Sequence, residues 1–233
     1  MKVKICGLTR REDAAYAAEC GADYLGVVFE PQTPRCVSLE QAASILSGLD
    51  PLKVAVFGTL HDLEDWSLFD AVQFRSDPDG VEAKLPVRLQ IIRGYNSSPC
   101  LQGEVASERS EDDGGGLGLN LGGRPPSPSL HSGTPPCKQG GEFWESPELI
   151  HVDAVVPGHA GGTGVLADWG AAAQIEGRVM LAGGLTPENV AEAIRVVRPY
   201  AVDTSSGVEK ETKGVKDHAL IDAFIRTAKL SSV

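Results

Sequence analysis

Short apolar runs recur along the chain at 3–6, 24–29, 53–57, 71–74, 87–92, 149–153, 179–182 and 201–205. Each is too short for a helix and long enough for a buried strand. Between them lie stretches whose apolar positions repeat at helical spacing: 11–20, ending at Gly21, then 39–46, a shorter candidate at 60–69, 166–175, 188–197, and 217–228 at the end. The 188–197 stretch carries its own start signal, with Thr186 suited to capping and Pro187 to the first helical position. Eight strands alternating with helices predict an α/β fold in which a parallel sheet closes into a (β/α)8 TIM barrel. At 233 residues the chain has the usual size of one such barrel, so a single domain over 1–233 is expected.

One stretch departs from this alternation. From 94 to 147 the chain is rich in Gly, Ser and Pro, with the polar run 108–116 and the run 122–136, and it occupies the place of helix five. Too little apolar surface is available there to offset the ordering of the backbone, so an atypical, disordered insertion is expected within the domain.

Alternation along the first strand sets its chemistry. Lys4 and Cys6 point into the barrel while Val3 and Ile5 face the helices, which puts Cys6 at the carboxyl end, where such barrels carry their active sites. A buried cysteine is ordinarily an inert small hydrophobe, but one beside a cation gains thiolate character and can act as a base. Lys4 is the candidate cation, and Asp203 on the last strand is the carboxylate expected to pair with it, because an unpaired buried charge is costly. On strand six His151 and Asp153 share the inward face; His151 reads as barrel filling, and Asp153, at the strand's end, is either a general acid or a loop cap. Arg35, in Thr33-Pro34-Arg35 after strand two, can grip a carboxylate through two parallel bonds.

Three glycine-bearing turns follow late strands: Gly161-Gly162-Thr163-Gly164, Ala182-Gly183-Gly184-Leu185 and Ser205-Ser206-Gly207. Glycine lets backbone N–H groups approach an anion, and a helix beginning just beyond adds the positive end of its dipole. Together the turns predict a phosphate cradle. A formal charge of −11 argues against nucleic acid or an anionic membrane as partner, and leaves a small phosphorylated molecule. No apolar run is long enough to span a bilayer and no secretory leader is apparent, so a cytoplasmic protein is expected. The five cysteines form no disulfide framework by number or spacing, and neither they nor the five histidines have metal-ligand spacing.

These residues carry a resemblance. Lys4-Ile5-Cys6-Gly7-Leu8-Thr9, Gly21-Ala22-Asp23-Tyr24-Leu25-Gly26, Thr33-Pro34-Arg35, the turns at 161–164 and 181–185, and Val202-Asp203-Thr204-Ser205-Ser206-Gly207-Val208-Glu209 closely resemble phosphoribosylanthranilate isomerase of tryptophan biosynthesis. The match reaches both ends of the chain and omits 94–147. It implies an Amadori rearrangement of N-(5-phosphoribosyl)anthranilate to 1-(2-carboxyphenylamino)-1-deoxyribulose 5-phosphate, an aldose–ketose isomerisation that uses no cofactor and no metal. By that pattern Asp153 is the acid and Cys6 the base, and Arg35 holds the anthranilate carboxylate. Gln73, Arg75, Gly162, Thr163, Gly164, Gly183, Gly184, Asp203, Ser205, Ser206 and Gly207 complete the substrate contacts, in a monomer or homodimer. Strand four departs from the family: the usual Gln-Leu-His-Gly is Gln73-Phe74-Arg75-Ser76, and arginine keeps donors but exchanges no proton near neutral pH. The alternatives are another ribulose-phosphate-binding barrel enzyme, or a phosphate-binding paralogue with impaired catalysis.

Overall fold

The structure, a computed structural model, describes residues 1–58, 63, 65–74, 89–96, 149–153 and 166–231. Eight parallel strands, β1 (Lys2–Ile5), β2 (Tyr24–Val28), β3 (Leu52–Phe57), β4 (Ala71–Phe74), β5 (Gln90–Asn96), β6 (Leu149–Asp153), β7 (Arg178–Leu181) and β8 (Ala201–Thr204), pair in chain order. β8 lies against β1 and closes the barrel. The described helices are α1 (Arg11–Glu19), α2 (Leu39–Leu46), α3 (Trp169–Ala172), α4 (Val190–Val197) and α5 (His218–Leu230). None of them is long and apolar enough to cross a membrane. The chain separates into two units, Met1–Pro99 with Ser146–Val233, and Cys100–Glu145; the second lies outside the described residues.

Strand alternation divides the core in two. Val3, Ile5, Leu25, Val27, Ala55, Phe57, Val72, Val152, Val179 and Val202 face outward and pack under the helices. Cys6, Tyr24, Val54, Val56, Ala71, Ile92, Leu149, Met180 and Ala201 fill the interior. The amino-terminal end of the barrel is plugged by aromatics: the Arg178 guanidinium lies 3.8 Å over the Tyr200 ring. Burial and the neighbouring Tyr200 push the Tyr24 phenol up to about 12.

A polar layer sits above this plug. Lys4 Nζ, fully buried, donates to Asp203 Oδ2 at 2.9 Å, and His151 Nε2 meets the same oxygen at 2.9 Å. The expected Lys4–Asp203 pair is therefore present, and His151 is a third member of it. Burial opposes ionisation of Asp203, but the Lys4 charge and the His151 bond outweigh it and hold its pKa below the ordinary carboxylate value. Burial likewise opposes the Lys4 ammonium, and the Asp203 charge together with Cys6 raises its pKa above the usual lysine value.

Several expected elements differ. The helix candidate at 60–69 is not helical in its described part; 65–69 is turn and coil, with Asp65 accepting from Ser67 N–H and hydroxyl at 2.7 Å each. Its apolar residues belong to an aromatic cluster instead, in which Phe69 meets Phe29 edge-on at 5.7 Å and Phe29 stacks on Phe57 at 5.3 Å. The helix expected over 166–175 shrinks to Trp169–Ala172, because Asp168 caps it late through Ala171 N–H and the chain then tightens into i→i+3 bonds at Gln174 and Ile175. The helix expected over 188–197 is regular from Val190, whose N–H donates to Thr186 C=O at 3.1 Å, while Asn189 folds back, accepting from Thr186 N–H and donating to Gly184 C=O. Strand five runs on through Asn96 rather than ending at 92, in register with β6 to Asp153, so the first three residues assigned to the atypical segment belong to the barrel. Beyond Asn96 that segment lies outside the described residues.

The buried pair has consequences for stability. Lys4→Met strands the Asp203 carboxylate and is expected to cost about 3–5 kcal/mol, and Lys4→Met with Asp203→Leu to recover much of it, read from urea unfolding. The sign for pH follows from the shifts. The depressed Asp203 pKa contributes stability above the unfolded carboxylate value of about 3.9 and loses it as pH falls through the folded value. The raised Lys4 pKa contributes below about 10.4 and loses it as pH rises through the folded value. Unfolding midpoints should thus form a plateau between those limits, and the double variant should flatten the acid limb.

Candidate active site

Cys6 follows β1 directly, and its N–H continues the ladder to Thr204 C=O at 2.9 Å. Asp153 closes β6, three strands away around the ring through β7 and β8. Both stand at the carboxyl end of the barrel, on the inward face, as the alternation of Cys6 with Ile5 and of Asp153 with Val152 requires. Beneath Cys6, Lys4 bonds Asp203. Gly26 on the next strand leaves room for this, since a Cβ there would lie 3.0 Å from Cys6 Sγ and 3.1 Å from Lys4 Cε.

Arg35 enters the mouth from the loop after β2. That loop curls on itself through Thr33, whose hydroxyl accepts from Arg35 N–H and whose carbonyl accepts from Cys36 N–H, both at 3.1 Å, before Val37 N–H returns to Val28 C=O. The guanidinium is buried and binds Glu209 side-on, with Nε 2.9 Å and Nη2 2.7 Å from its two oxygens. Lys216, also buried, donates from Nζ to Glu209 Oε1 at 2.7 Å and to Ser205 C=O at 2.9 Å. Burial opposes charge on Glu209, yet the Arg35 bonds and the Lys216 charge hold its pKa below the usual range; burial also lowers the Lys216 pKa, against the pull of Glu209.

Two of the three glycine turns are described, and they are braced together. Gly183 and Gly184 take φ of 84° and 63°, left-handed values that carry the chain sharply from β7 toward α4. Thr204 Oγ1 donates to Leu185 C=O at 2.8 Å, tying this turn to the one after β8, where Ser205 leads into a 3-10 turn at Ser206–Val208. Gly207 fits against that junction because a Cβ would lie 1.8 Å from Leu185 O. Gly183, Gly184, Ser205, Ser206 and Gly207 are all half-buried, within reach of solvent. Gln73 projects into the interior from β4, 3% exposed, and its Oε1 has no partner among the described residues. Gly162, Thr163, Gly164 and Arg75 lie outside the described residues.

A family model described as N-(5'phosphoribosyl)anthranilate (PRA) isomerase matches residues 3–67 and 145–227, more than half of the chain. The chain belongs to this family. An N-(5'-phosphoribosyl)anthranilate isomerase of Nitrosococcus oceani is 38% identical over 234 residues, spanning 97% of this chain and 96% of that protein. Among solved structures, phosphoribosyl anthranilate isomerase from Thermotoga maritima superposes with a TM-score of 0.69 at 28% identity, covering 98% of both chains. A phosphoribosyl anthranilate isomerase in complex with reduced 1-(o-carboxyphenylamino)-1-deoxyribulose 5-phosphate matches with a TM-score of 0.65 at 27% identity and 98% coverage of each chain.

The phosphoribosylanthranilate isomerase motifs thus bring Cys6, Arg35, Asp153, Asp203 and the turns after β7 and β8 to one end of one barrel. Asp203 sits deeper than a surface contact, paired below Cys6. Two residues had no role in the sequence reading. Glu209 was visible only as the last letter of a motif, and Lys216 lies past the strand pattern, next to the Asp217 cap of α5, so alternation says nothing about it. Gly207→Ala is expected to displace the braced turn and to cost about 1–3 kcal/mol, measured as a lower urea midpoint.

Proposed function

We infer that this chain catalyses the isomerisation of N-(5'-phosphoribosyl)anthranilate to 1-(2-carboxyphenylamino)-1-deoxyribulose 5-phosphate, with Cys6 and Asp153 as its proton-transfer pair. The observation that carries this reading is the placement of both groups at the carboxyl end of one closed barrel, beside two glycine turns and a buried arginine. Asp153 protonates the ring oxygen of the furanose; the C1–O bond breaks, and the nitrogen lone pair forms an iminium. Cys6, as thiolate, removes the C2 proton, and the C2–H electrons flow to C1 to neutralise the iminium as an enolamine. Tautomerisation moves the enol proton to C1 and completes the C2 ketone; Asp153 has then given up one proton and Cys6 gained one, so the passage of a proton from Cys6 to Asp153 through solvent resets the pair for another turnover.

The surroundings suit those roles. Lys4 shares the inward face of β1 with Cys6, and the side chains of both close on Gly26, so a buried cation lies just below the thiol assigned as base. The half-buried turns at Gly183-Gly184 and Ser205-Ser206-Gly207 offer backbone donors to the phosphate, and Arg35 offers a fork to the anthranilate carboxylate. Anchoring both anionic ends holds the sugar between acid and base, so remote binding energy serves the reacting centre. Gln73 Oε1, buried and without a partner among the described residues, is placed to accept from a sugar hydroxyl.

Loss of substrate fluorescence with purified protein tests this. Cys6→Ala and Asp153→Asn should each lower kcat by about 10²–10⁴-fold, with a much smaller change in KM. Arg35→Met should chiefly raise KM. An unchanged rate in either of the first two variants refutes the assignment, and a wild-type protein that binds the substrate without turnover is an impaired phosphate-binding paralogue.

A further inference from the structure

We propose that Glu209 and Lys216 are a positioning pair that presents one edge of the Arg35 guanidinium to the carboxylate on the substrate's aromatic ring. This rests on the reading that Arg35 receives that carboxylate. Arginine has five N–H donors in a rigid planar fork. Arg35 spends the Nε and one Nη2 hydrogen on the two oxygens of Glu209. The opposite edge, made by Nη1 and the second Nη2 hydrogen, meets no partner among the described residues. Such an edge matches a second carboxylate through two parallel bonds.

The remaining bonds keep that edge where it is. Glu209 Oε1 also accepts from Lys216 Nζ at 2.7 Å and from Gly214 N–H at 3.0 Å, so its carboxylate is held from three directions. Lys216 is in turn anchored at both ends: Nζ on Ser205 C=O, and its backbone N–H on Asp13 Oδ2 at 3.1 Å. Asp13 is itself buried at the start of α1 and bound side-on by Arg10 at 2.6 and 2.9 Å. The stem of Arg35 lies against Gly7, where a Cβ would come within 2.5 Å of Arg35 Cδ, directly beside Cys6 in the chain. The side chains of Arg35, Glu209 and Lys216 are 7%, 5% and 0% exposed, so removing one member leaves the others as buried charges without their partner. Arg35 alone would have many rotamers; the carboxylate and the ammonium select one.

Two ligands test the proposal: reduced 1-(o-carboxyphenylamino)-1-deoxyribulose 5-phosphate, and its phenylamino counterpart lacking the ring carboxylate. The ratio of their dissociation constants, by isothermal titration calorimetry, reports the carboxylate preference. Wild type should prefer the first by about 30-fold or more, the scale of a buried charge pair. Arg35→Met should abolish the preference while affinity for inorganic phosphate stays near wild type, and Glu209→Gln and Lys216→Met should each cut the preference by about tenfold or more. Lys216→Arg, which keeps the donor and charge, should restore most of it. A preference kept in both Glu209→Gln and Lys216→Met overturns the proposal, and a preference that rises in Glu209→Gln does so too, because Glu209 would then compete with the ligand. If Glu209→Gln does not fold, Glu209→Asp, with a shorter reach, must lower the preference for the proposal to stand. A wild type that binds both ligands equally refutes the Arg35 reading itself.

Discussion

One ammonium group buried inside the barrel constrains much of this molecule. Lys4 joins β1 to β8 through Asp203, two strands from opposite ends of the chain, at the seam where the sheet closes. Neither charge is tolerable alone in a water-free interior, so the pair is a demand on register: only the pairing of Lys4 with Asp203 across the seam satisfies both. That same register sets Cys6 at the rim, on the inward face above Lys4. The stability of the seam and the chemistry of the mouth therefore depend on one contact.

A second set of charges works one layer higher. Arg35, Glu209 and Lys216 come from the loop after β2 and from the stretch between β8 and α5, segments with no ladder of their own to hold them. Their mutual bonds replace that ladder. Glu209 and Lys216 also form an isolated antiparallel bridge, so backbone and side chains close the same short loop. The lower layer sets the strands and the upper layer sets the loops, and the expected substrate would lie against the upper one.

The helical shell is less regular than the barrel inside it. α3 is a single turn, α4 starts late, and the region after β3 packs aromatic rings in place of a helix in its described part. There Phe29, Phe57, Phe69 and Phe74 pack ring against ring outside the barrel strands. The barrel tolerates such variation because its closure lies in the hydrogen-bonded strands and in the inward side chains.

Strand identity, the inward face of β1 and β6, and the partnership of Lys4 with Asp203 were legible in the order of residues alone. They follow from the two-residue period of a strand and from the cost of an unpaired charge, both local or pairwise rules that a sequence expresses directly. Helix bounds were not so legible: Asp168 starts α3 later than the apolar pattern does, and Asn189 ties the start of α4 to Thr186 and Gly184 through bonds that no periodicity announces. Nor was the carboxyl-end cluster around Arg35. Glu209 lies 174 positions from Arg35, and no periodicity links a loop after the second strand to one after the eighth. Only closure of the barrel, which brings β2 and β8 to either side of β1, made those side chains neighbours.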